Sequence, residues 1–179
     1  MSAAITVRHR TAEDLDACAA LLRRVHELDR YPVRWPADPV AFLTPDDELV
    51  TWVAHRDCVL VGHVMLAAPP AGLGEVAPID GQHARVEDLV LLRLLFVSPE
   101  ARGRRLGAQL LDVATAEATA RRRRTVLEVL SLNVDAIAMY ERVGWTAIAT
   151  TTPDWAPDGT HAVVYLAPRS DSWTQVVRE

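Results

Sequence analysis

The stretch FVSPEARGRRLGAQLL, residues Phe96–Leu111, joins an apolar run to a helical pattern through a segment with three arginines and two glycines. The run Leu89–Val97 is apolar on both faces, which is typical of a buried strand. An apolar stripe at helical spacing then predicts a helix, and its members are Leu106, Leu110, Leu111, Ala114 and Ala118. A helix entered through glycine-containing backbone presents free N–H groups and the positive end of its dipole, and both attract phosphate oxygens. The stretch therefore predicts an anion site, suited to a pyrophosphate, where the helix begins.

The charge of the chain is distributed unevenly, in a way that supports this anion site. The formal net charge is −5, yet Ser98–Arg124 contains seven arginines and only three acidic residues. All 19 basic residues are arginine, which excludes chemistry that needs a lysine nucleophile or a lysine Schiff base. Nucleic-acid binding through Arg121–Arg124 is disfavoured, because no aromatic residues are interleaved and because arginines also complement the carbonyl end of the preceding helix.

Length and composition predict one globular domain. The chain has 179 residues, half of them hydrophobic, which is enough for one compact core. No run reaches the roughly 20 apolar residues of a membrane span, and the first ten residues lack the apolar segment of a signal peptide. We therefore expect a cytoplasmic protein without a membrane partner. Cys18 and Cys58 are expected to be free thiols without metal-ligand neighbours, and no metal site is predicted.

Alternating strand and helix patterns predict a mixed α/β domain with βαβ units in its C-terminal half. Strand patterns cover Ile5–Val7, Glu48–His55, Val59–Ala67, Leu89–Val97, Thr125–Leu130, Trp145–Thr151 and His161–Leu166. A first helix is predicted after a capping box of Thr11 and Asp14. Further helices are predicted at Val40–Leu43, from Leu106 onwards, and over Asn133–Val143. In the first helix the predicted apolar face consists of Leu15, Cys18, Ala19, Leu22 and Val25. Pro69–Val86 is predicted to be a long loop.

Two motifs together give the sequence a family resemblance. VSPEARGRRLG, followed by a helix, a buried strand and NVDAIAMYERVGW, resembles the GNAT superfamily of acetyl-CoA-dependent N-acetyltransferases. The resemblance implies a single domain over residues 1–179, with a core at about 4–167 and a C-terminal tail at 168–179. It also implies a mixed central sheet of about six to seven strands with helices on both faces, and a loop that binds the pyrophosphate of coenzyme A.

One motif position departs from the family. The fourth position of the loop is usually glycine, and here it is Arg105. We expect a residue at the first helical turn to hold helical backbone angles, so that its N–H remains usable for the phosphate.

The resemblance assigns coenzyme-binding residues to the central strand, the loop and the second motif. They are Leu95, Phe96, Val97, Arg102, Gly103, Arg104, Arg105, Leu106, Gly107, Ala108, Asn133 and Tyr140. Leu95–Val97 would offer main-chain groups to the pantetheine arm and an N–H to the thioester carbonyl. Asn133 would contact the arm or cap its helix. Tyr140 would act as the general acid for the leaving thiolate, the alternative being an aromatic side chain packed in the core.

The general base is left open. An amine must lose a proton before or during attack on the thioester, so a side chain or a water has to accept it. Glu87 and Asp88 precede the central strand, where the family often keeps an acid, although the position nearest the usual glutamate is Leu91. Weaker candidates are Glu128, His63 and His161, and ordered water is a further alternative.

The implied activity is direct transfer of an acetyl group from acetyl-CoA to an amine of a small molecule or peptide. No cysteine falls in the motif region, so a covalent enzyme intermediate is not expected. Two alternatives stay open: a non-catalytic regulatory domain that binds acyl-CoA, and an acyltransferase that uses a longer acyl-CoA. A homodimer is compatible with the sequence.

Only two loops of the sequence give information about the acceptor. The loop that holds Tyr31, Arg34 and Trp35, together with Pro69–Val86, is predicted to shape the acceptor pocket by analogy with the fold. Nearby acidic residues favour a cationic amine, and they are Glu27, Asp29, Glu87 and Asp88.

Overall fold

A computed structural model describes residues 4–73, 78–79, 82–83 and 85–169 of the chain. The strands are β1 Ile5–His9, β2 Glu48–Arg56, β3 Val59–Ala67, β4 Pro78–Ile79, β5 Gln82–His83, β6 Leu89–Val97, β7 Arg124–Leu130, β8 Thr146–Thr151 and β9 Ala162–Leu166. The helices are α1 Leu15–Asp29, α2 Pro39–Leu43, α3 Leu106–Ala120 and α4 Val134–Arg142. In the described part of the chain, no helix combines the length and the apolar character that crossing a bilayer requires.

Seven strands form one open mixed sheet, in the order β1-β2-β3-β6-β7-β9-β8. The pair β6–β7 is parallel, whereas β1–β2, β2–β3, β7–β9 and β8–β9 are antiparallel. The predicted sheet of six to seven strands is thereby confirmed. The short strands β4 and β5 pair with each other in a stretch that the sequence predicts as loop.

Contacts within the chain cluster into two compact units. One joins Met1–Ala67 with Arg93–Ala114, and the other joins Ala68–Leu92 with Thr115–Glu179. The strand β6 and the helix α3 therefore each contribute residues to both units. The assignment of 1–179 to a single domain stays a prediction, and most of the predicted tail, residues 170–179, lies outside the described residues.

In the first unit, α1 packs its apolar face into the main hydrophobic cluster. Cys18, Leu22 and Val25 are buried there, and Leu15 and Ala19 pack against the cluster at its margin. This confirms the predicted face of the helix. Leu21, which the prediction omitted, is also buried. Both cysteines of the chain are free, Cys18 buried and Cys58 exposed, as predicted.

The predicted capping box is present, but it closes a 3-10 turn, Ala12–Asp14, that leads into α1. The Thr11 N–H donates to the Asp14 carboxylate at 2.8 Å, and the Arg8 guanidinium donates to both Asp14 oxygens at 2.7 Å. The bonds from Arg8, followed by those from Thr11, hold the pKa of Asp14 well below its usual range. The start of α1 is thus fixed to β1.

Glycine sets how closely α3 approaches the sheet in the first unit. A Cβ atom placed on Gly62 of β3 would lie 2.9 Å from Leu110 Cδ1 and 3.5 Å from Leu106 Cδ2. The first two turns of α3 therefore rest directly on the backbone of β3. This contact holds the helix start in position behind the loop that precedes it.

The second unit has its own apolar cluster and an aromatic group. Leu73, Leu89, Val126 and Val164 form the cluster, so the first residue of β6 is anchored here. The group consists of Tyr140, Trp145 and Tyr165, with the Tyr140 ring 5.8 Å from Trp145 and 6.0 Å from Tyr165.

Candidate active site

The loop between β6 and α3 turns through two left-handed residues into the start of a helix. After β6 ends at Val97, a 3-10 turn, Pro99–Ala101, redirects the chain. Gly103 follows with φ 72° and Arg105 with φ 61°, and α3 begins at Leu106. The helix start therefore faces a short loop, and its first N–H groups have no intrahelical acceptor.

The expected backbone of Arg105 is corrected by the structure. We expected helical angles at this position, but Arg105 is left-handed and lies just outside the helix. A side chain in that region costs about 1–2 kcal/mol relative to glycine, the residue that the family resemblance led us to expect here.

The three arginines of the loop differ in what they bind. Arg102 donates to both carboxylate oxygens of Asp29 at the end of α1, and its Nε lies 3.3 Å from the Val97 carbonyl oxygen. Arg104 and Arg105 are exposed, and neither forms an ion pair with any residue in the described ranges. Two of the three predicted phosphate-binding guanidinium groups are thus available, and the third is shared with an acid.

A second ion pair also connects the loop to α1. Glu100 accepts from Arg24 and from the Ser98 hydroxyl, and the Ser98 bond is the main cause that lowers its pKa. The Ser98 N–H donates to the Val61 carbonyl at 2.8 Å. Bonds to β3 and to α1 therefore hold the loop in place.

The central strand contains an irregularity that the sequence does not indicate. Leu94 has φ 53° in the middle of β6, while its side chain stays buried. Its carbonyl oxygen lies 2.8 Å from His63 Nδ1. We call this left-handed residue in β6 the Leu94 irregularity. It lies directly before Leu95–Val97, the residues predicted to meet the pantetheine arm.

His63 is fully buried, and both of its ring nitrogens are bonded. Nδ1 bonds the Leu94 carbonyl, and Nε2 lies 3.3 Å from Arg10 Nη1. Burial lowers the pKa of His63 from 6.5 to about 4, so the folded protein keeps the ring neutral. The unfolded chain takes up that proton first, so folding stability falls as the pH drops from about 6.5 towards 4. Both ring nitrogens of His63 are thus engaged within the core.

Tyr140 and Asn133 both lie at α4, in the second unit. Tyr140 is buried, with 7% of its surface exposed, and its ring belongs to the aromatic group with Trp145 and Tyr165. Asn133 precedes the helix but makes no side-chain cap bond to it. Capping therefore does not account for this asparagine.

The other candidate bases have clear surroundings. Glu87 and Asp88 lie in a 3-10 turn before β6, where Arg85 binds them at 3.3 and 2.9 Å in an exposed cluster. Glu128 on β7 is half-buried and accepts a hydrogen bond of 2.8 Å from the Thr151 hydroxyl. His161 is exposed and precedes β9.

Comparison with known proteins identifies the family. The profile of the Acetyltransferase (GNAT) family matches residues 21–145, a range that contains the loop, the Leu94 irregularity and Tyr140. The chain belongs to the GNAT acetyltransferase family. A search of curated protein sequences gives no significant match.

Solved structures of similar fold agree with this assignment. The ribosomal-protein-S18-alanine N-acetyltransferase from Escherichia coli is 19% identical, with a TM-score of 0.67 over 93% of this chain and 95% of that chain. Arabidopsis thaliana NAA60 in complex with acetyl-CoA is 19% identical, with a TM-score of 0.69 over 91% and 97%. The Salmonella typhimurium protein yncA with its cofactor acetyl-CoA is 18% identical, with a TM-score of 0.67 over 94% and 95%. At these identities the likeness concerns the fold, and the family match makes this GNAT protein an acetyltransferase.

Some features of the site could not be found from the sequence. The pairing of Arg102 with Asp29 joins residues far apart in the chain, and no spacing pattern marks it. The Leu94 irregularity likewise sits in an apolar run, where Arg93 is the only polar residue and gives no sign of a left-handed backbone. The one available signal was His63, a polar residue inside the strand VLVGHVMLA, which indicates a buried and bonded histidine.

Proposed function

We propose that this acetyltransferase moves an acetyl group from acetyl-CoA directly to an amine within a ternary complex. The observation that carries the proposal is the loop before α3, where left-handed Gly103 and Arg105 lead into a helix start beside exposed arginines. Such a helix start binds phosphate oxygens through its N–H groups and its dipole. The loop also falls within the family match. Arabidopsis NAA60 and Salmonella yncA, which share the fold, were solved with acetyl-CoA.

Each part of the coenzyme is assigned to a segment of the chain. Residues Arg102–Ala108 bind the pyrophosphate, and Leu95–Val97 bind the pantetheine arm, with one N–H directed at the thioester carbonyl. The register of β6 with β7 supports this second assignment, because it covers Leu89–Leu91 while β6 runs on to Val97. Asn133 bonds the pantetheine arm, a role supported by the absence of a side-chain cap bond.

The reaction breaks one bond and makes another. The amine nitrogen attacks the thioester carbonyl carbon, the C–N bond forms, and the negative charge on the carbonyl oxygen is stabilised by a main-chain N–H. The C–S bond then breaks, and Tyr140 protonates the departing thiolate while a base takes the proton of the amine. A phenol is ordinarily a weaker acid than a thiol, so the contribution of Tyr140 belongs to the transition state, where charge develops on sulfur.

The direct test is turnover on a panel of amines, with detection of the free thiol. Tyr140→Phe should lower kcat on the order of 100-fold, with coenzyme affinity and Tm near wild type. Tyr165→Phe is the matched control, because its ring is in the same aromatic group and its hydroxyl bonds Glu141 at 2.9 Å. Equal turnover of both variants, in a step limited by chemistry, removes Tyr140 from the mechanism. Coenzyme binding without turnover on any amine favours the alternative of a non-catalytic regulatory domain. Faster turnover with a longer acyl-CoA than with acetyl-CoA favours the alternative of an acyltransferase for longer acyl groups.

The general base is to be identified by comparing variants of the acidic candidates. Glu87 and Asp88 remain the predicted base region, although Arg85 already compensates their charge. Glu128 is the competing choice, supported by its half-buried carboxylate in the unit that also carries Tyr140. Glu128→Gln and the pair Glu87→Gln with Asp88→Asn should be compared through the acidic limb of the kcat/KM profile. The variant that loses the acidic limb identifies the base. If the acidic limb persists in both variants, ordered water is favoured as the proton acceptor.

The acceptor is a cationic amine in a small molecule or peptide. The acidic residues that suggested it are partly compensated, since Asp29 binds Arg102 and Asp88 binds Arg85. The amine panel tests this acceptor class. If polyamines and aminoglycosides are inert and neutral or anionic amines are the best substrates, the proposal of a cationic acceptor is wrong. We also propose that the protein is located in the cytoplasm.

A further inference from the structure

The Leu94 irregularity needs an explanation from its surroundings. A leucine does not favour the left-handed region by itself, and this one sits inside a strand whose neighbours are extended. Its side chain is 3% exposed, so the core holds the residue from one side. A backbone conformation of this kind persists only where the surrounding structure over-determines it.

One side chain holds the backbone carbonyl of Leu94. The His63 ring donates its Nδ1–H to the Leu94 carbonyl at 2.8 Å. The His63 ring also stacks on Phe96, with 4.8 Å between centroids and 6° between planes. His63 lies on β3, so a side chain of one strand is held against two residues of another, Leu94 and Phe96 of β6.

The proton on His63 is placed by a buried polar chain. A guanidinium has donors only, so Arg10 Nη1, 3.3 Å from Nε2, makes that nitrogen the acceptor and leaves the proton on Nδ1. The Arg10 side chain is 6% exposed and donates to Glu48 Oε2 at 2.5 Å. Glu48 in turn accepts from the Thr51 hydroxyl at 2.7 Å. The tautomer that bonds Leu94 is therefore built into the fold.

We propose that His63 is a positioning residue for the acyl end of the coenzyme. By holding Leu94 in its left-handed conformation, it sets the direction of the main-chain groups of Leu95–Val97. The inference rests on the proposed function, which gives those groups the pantetheine arm and the thioester carbonyl.

The test separates the two ends of the coenzyme. His63→Phe keeps a ring against Phe96 and removes the donor to Leu94. We expect coenzyme A to bind about tenfold more weakly, as for a lost buried hydrogen bond, while adenosine 3′-phosphate 5′-diphosphate, which lacks pantetheine, binds as to wild type. With acetyl-CoA, kcat should fall by a similar factor. Unchanged affinity for coenzyme A, or an equal loss for both ligands, overturns the inference.

Two further variants keep the outcome interpretable. Val53 lies opposite His63 in the β2–β3 register and is fully buried in the cluster that contains Leu94, so Val53→Ala loosens the core while the His63 donor to Leu94 stays in place. It should leave the affinity ratio of the two ligands unchanged, and a shifted ratio overturns the inference. If His63→Phe does not fold, His63→Leu, which also lacks the donor to Leu94, should show the same selective loss, and wild-type affinity for both ligands overturns the inference. If the wild-type protein binds neither ligand, the proposed function fails first and this inference with it.

Discussion

The helix α3 has arginines at both ends, and the two groups meet opposite electrostatic surroundings. Arg102, Arg104 and Arg105 precede its N-terminus, where the dipole is positive and like charge is unfavourable. Arg121–Arg124 follow its C-terminus, where the dipole is negative and cations are favourable. The same residue type is thus in conflict with the helix at one end and complementary to it at the other.

The C-terminal arginines are accounted for by the structure alone. Arg122 is left-handed with φ 58°, and its N–H donates to the Thr119 carbonyl at 2.9 Å. The Arg123 N–H donates to the Ala118 carbonyl at 2.9 Å, which completes a Schellman motif. Arg121 Nε bonds Glu117 at 2.8 Å. This group ends a helix, and its charges need no ligand to explain them.

The comparison teaches that an arginine cluster is informative only through its place relative to the backbone. At the N-terminal end, exposed Arg104 and Arg105 add positive charge to a positive helix start. An anion with several oxygens would relieve both, which is why the pyrophosphate is assigned to this end.

The largest expected effect is an acidic side chain at the helix start. Gly107→Glu should abolish the rise in Tm that coenzyme A produces, a loss of binding beyond about 100-fold, because it places a carboxylate and a bulky chain where the phosphates bind. Glutamate in a first turn suits the helix dipole, so the helix itself should remain stable. Ala120→Glu, in the last turn, is the control and should keep the full shift. A Gly107→Glu protein that binds normally would show that the pyrophosphate lies elsewhere.

Removing charge without adding it should have an intermediate effect. Arg104→Gln with Arg105→Gln should weaken coenzyme binding by about tenfold and flatten its salt dependence, since two exposed contacts to phosphate are lost. Arg121→Gln with Arg122→Gln removes equal charge from the other end and should change affinity by less than about twofold. Titration at two salt concentrations measures both. Equal losses from the two double variants would mean that only net charge matters.

A smaller effect is expected at the ion pair that occupies Arg102. Asp29→Asn should tighten coenzyme binding by about two- to fivefold, because the carboxylate competes with phosphate for the guanidinium in an exposed pair of modest strength. Calorimetric titration can resolve a change of this size. Weaker binding in the variant would instead show that Asp29 holds Arg102 in its productive position.

The smallest effect concerns the two left-handed arginines, Arg105 and Arg122, with φ 61° and 58°. Replacing either with glycine should raise stability by up to about 1 kcal/mol, because the left-handed region suits glycine. Only Arg105→Gly should also alter coenzyme affinity, by a few-fold. Thermal unfolding with and without coenzyme A measures both quantities. An affinity change of equal size in Arg122→Gly would erase the distinction between the two ends.

Most of the fold could be predicted because its signals are local. The apolar run of β6 matched its observed bounds, Leu89–Val97, and the stripe through Leu110 and Ala114 is buried as expected. Hydrophobic periodicity reports which face of an element is covered, and it needs no knowledge of the partner. The short pair β4–β5 was missed, because two-residue strands carry no periodicity.

The candidate site was less predictable because its features depend on contacts between distant residues. The left-handed Leu94 is bonded by His63, which lies 31 positions earlier in the chain. The backbone of Arg105 was expected to be helical, and only the observed start of α3 at Leu106 shows that it precedes the helix. Local patterns indicate that a loop binds an anion, but not how its side chains are already engaged.

The glycine beneath α3 has an evolutionary consequence. Because a Cβ at Gly62 would come within 2.9 Å of Leu110 and 3.4 Å of the Ala54 side chain, substitutions at these positions are not independent. A homologue with alanine at the position of Gly62 should have a smaller or reoriented side chain at the position of Leu110. The two sites should therefore change together during divergence, and their covariation would record how closely the helix lies on the sheet.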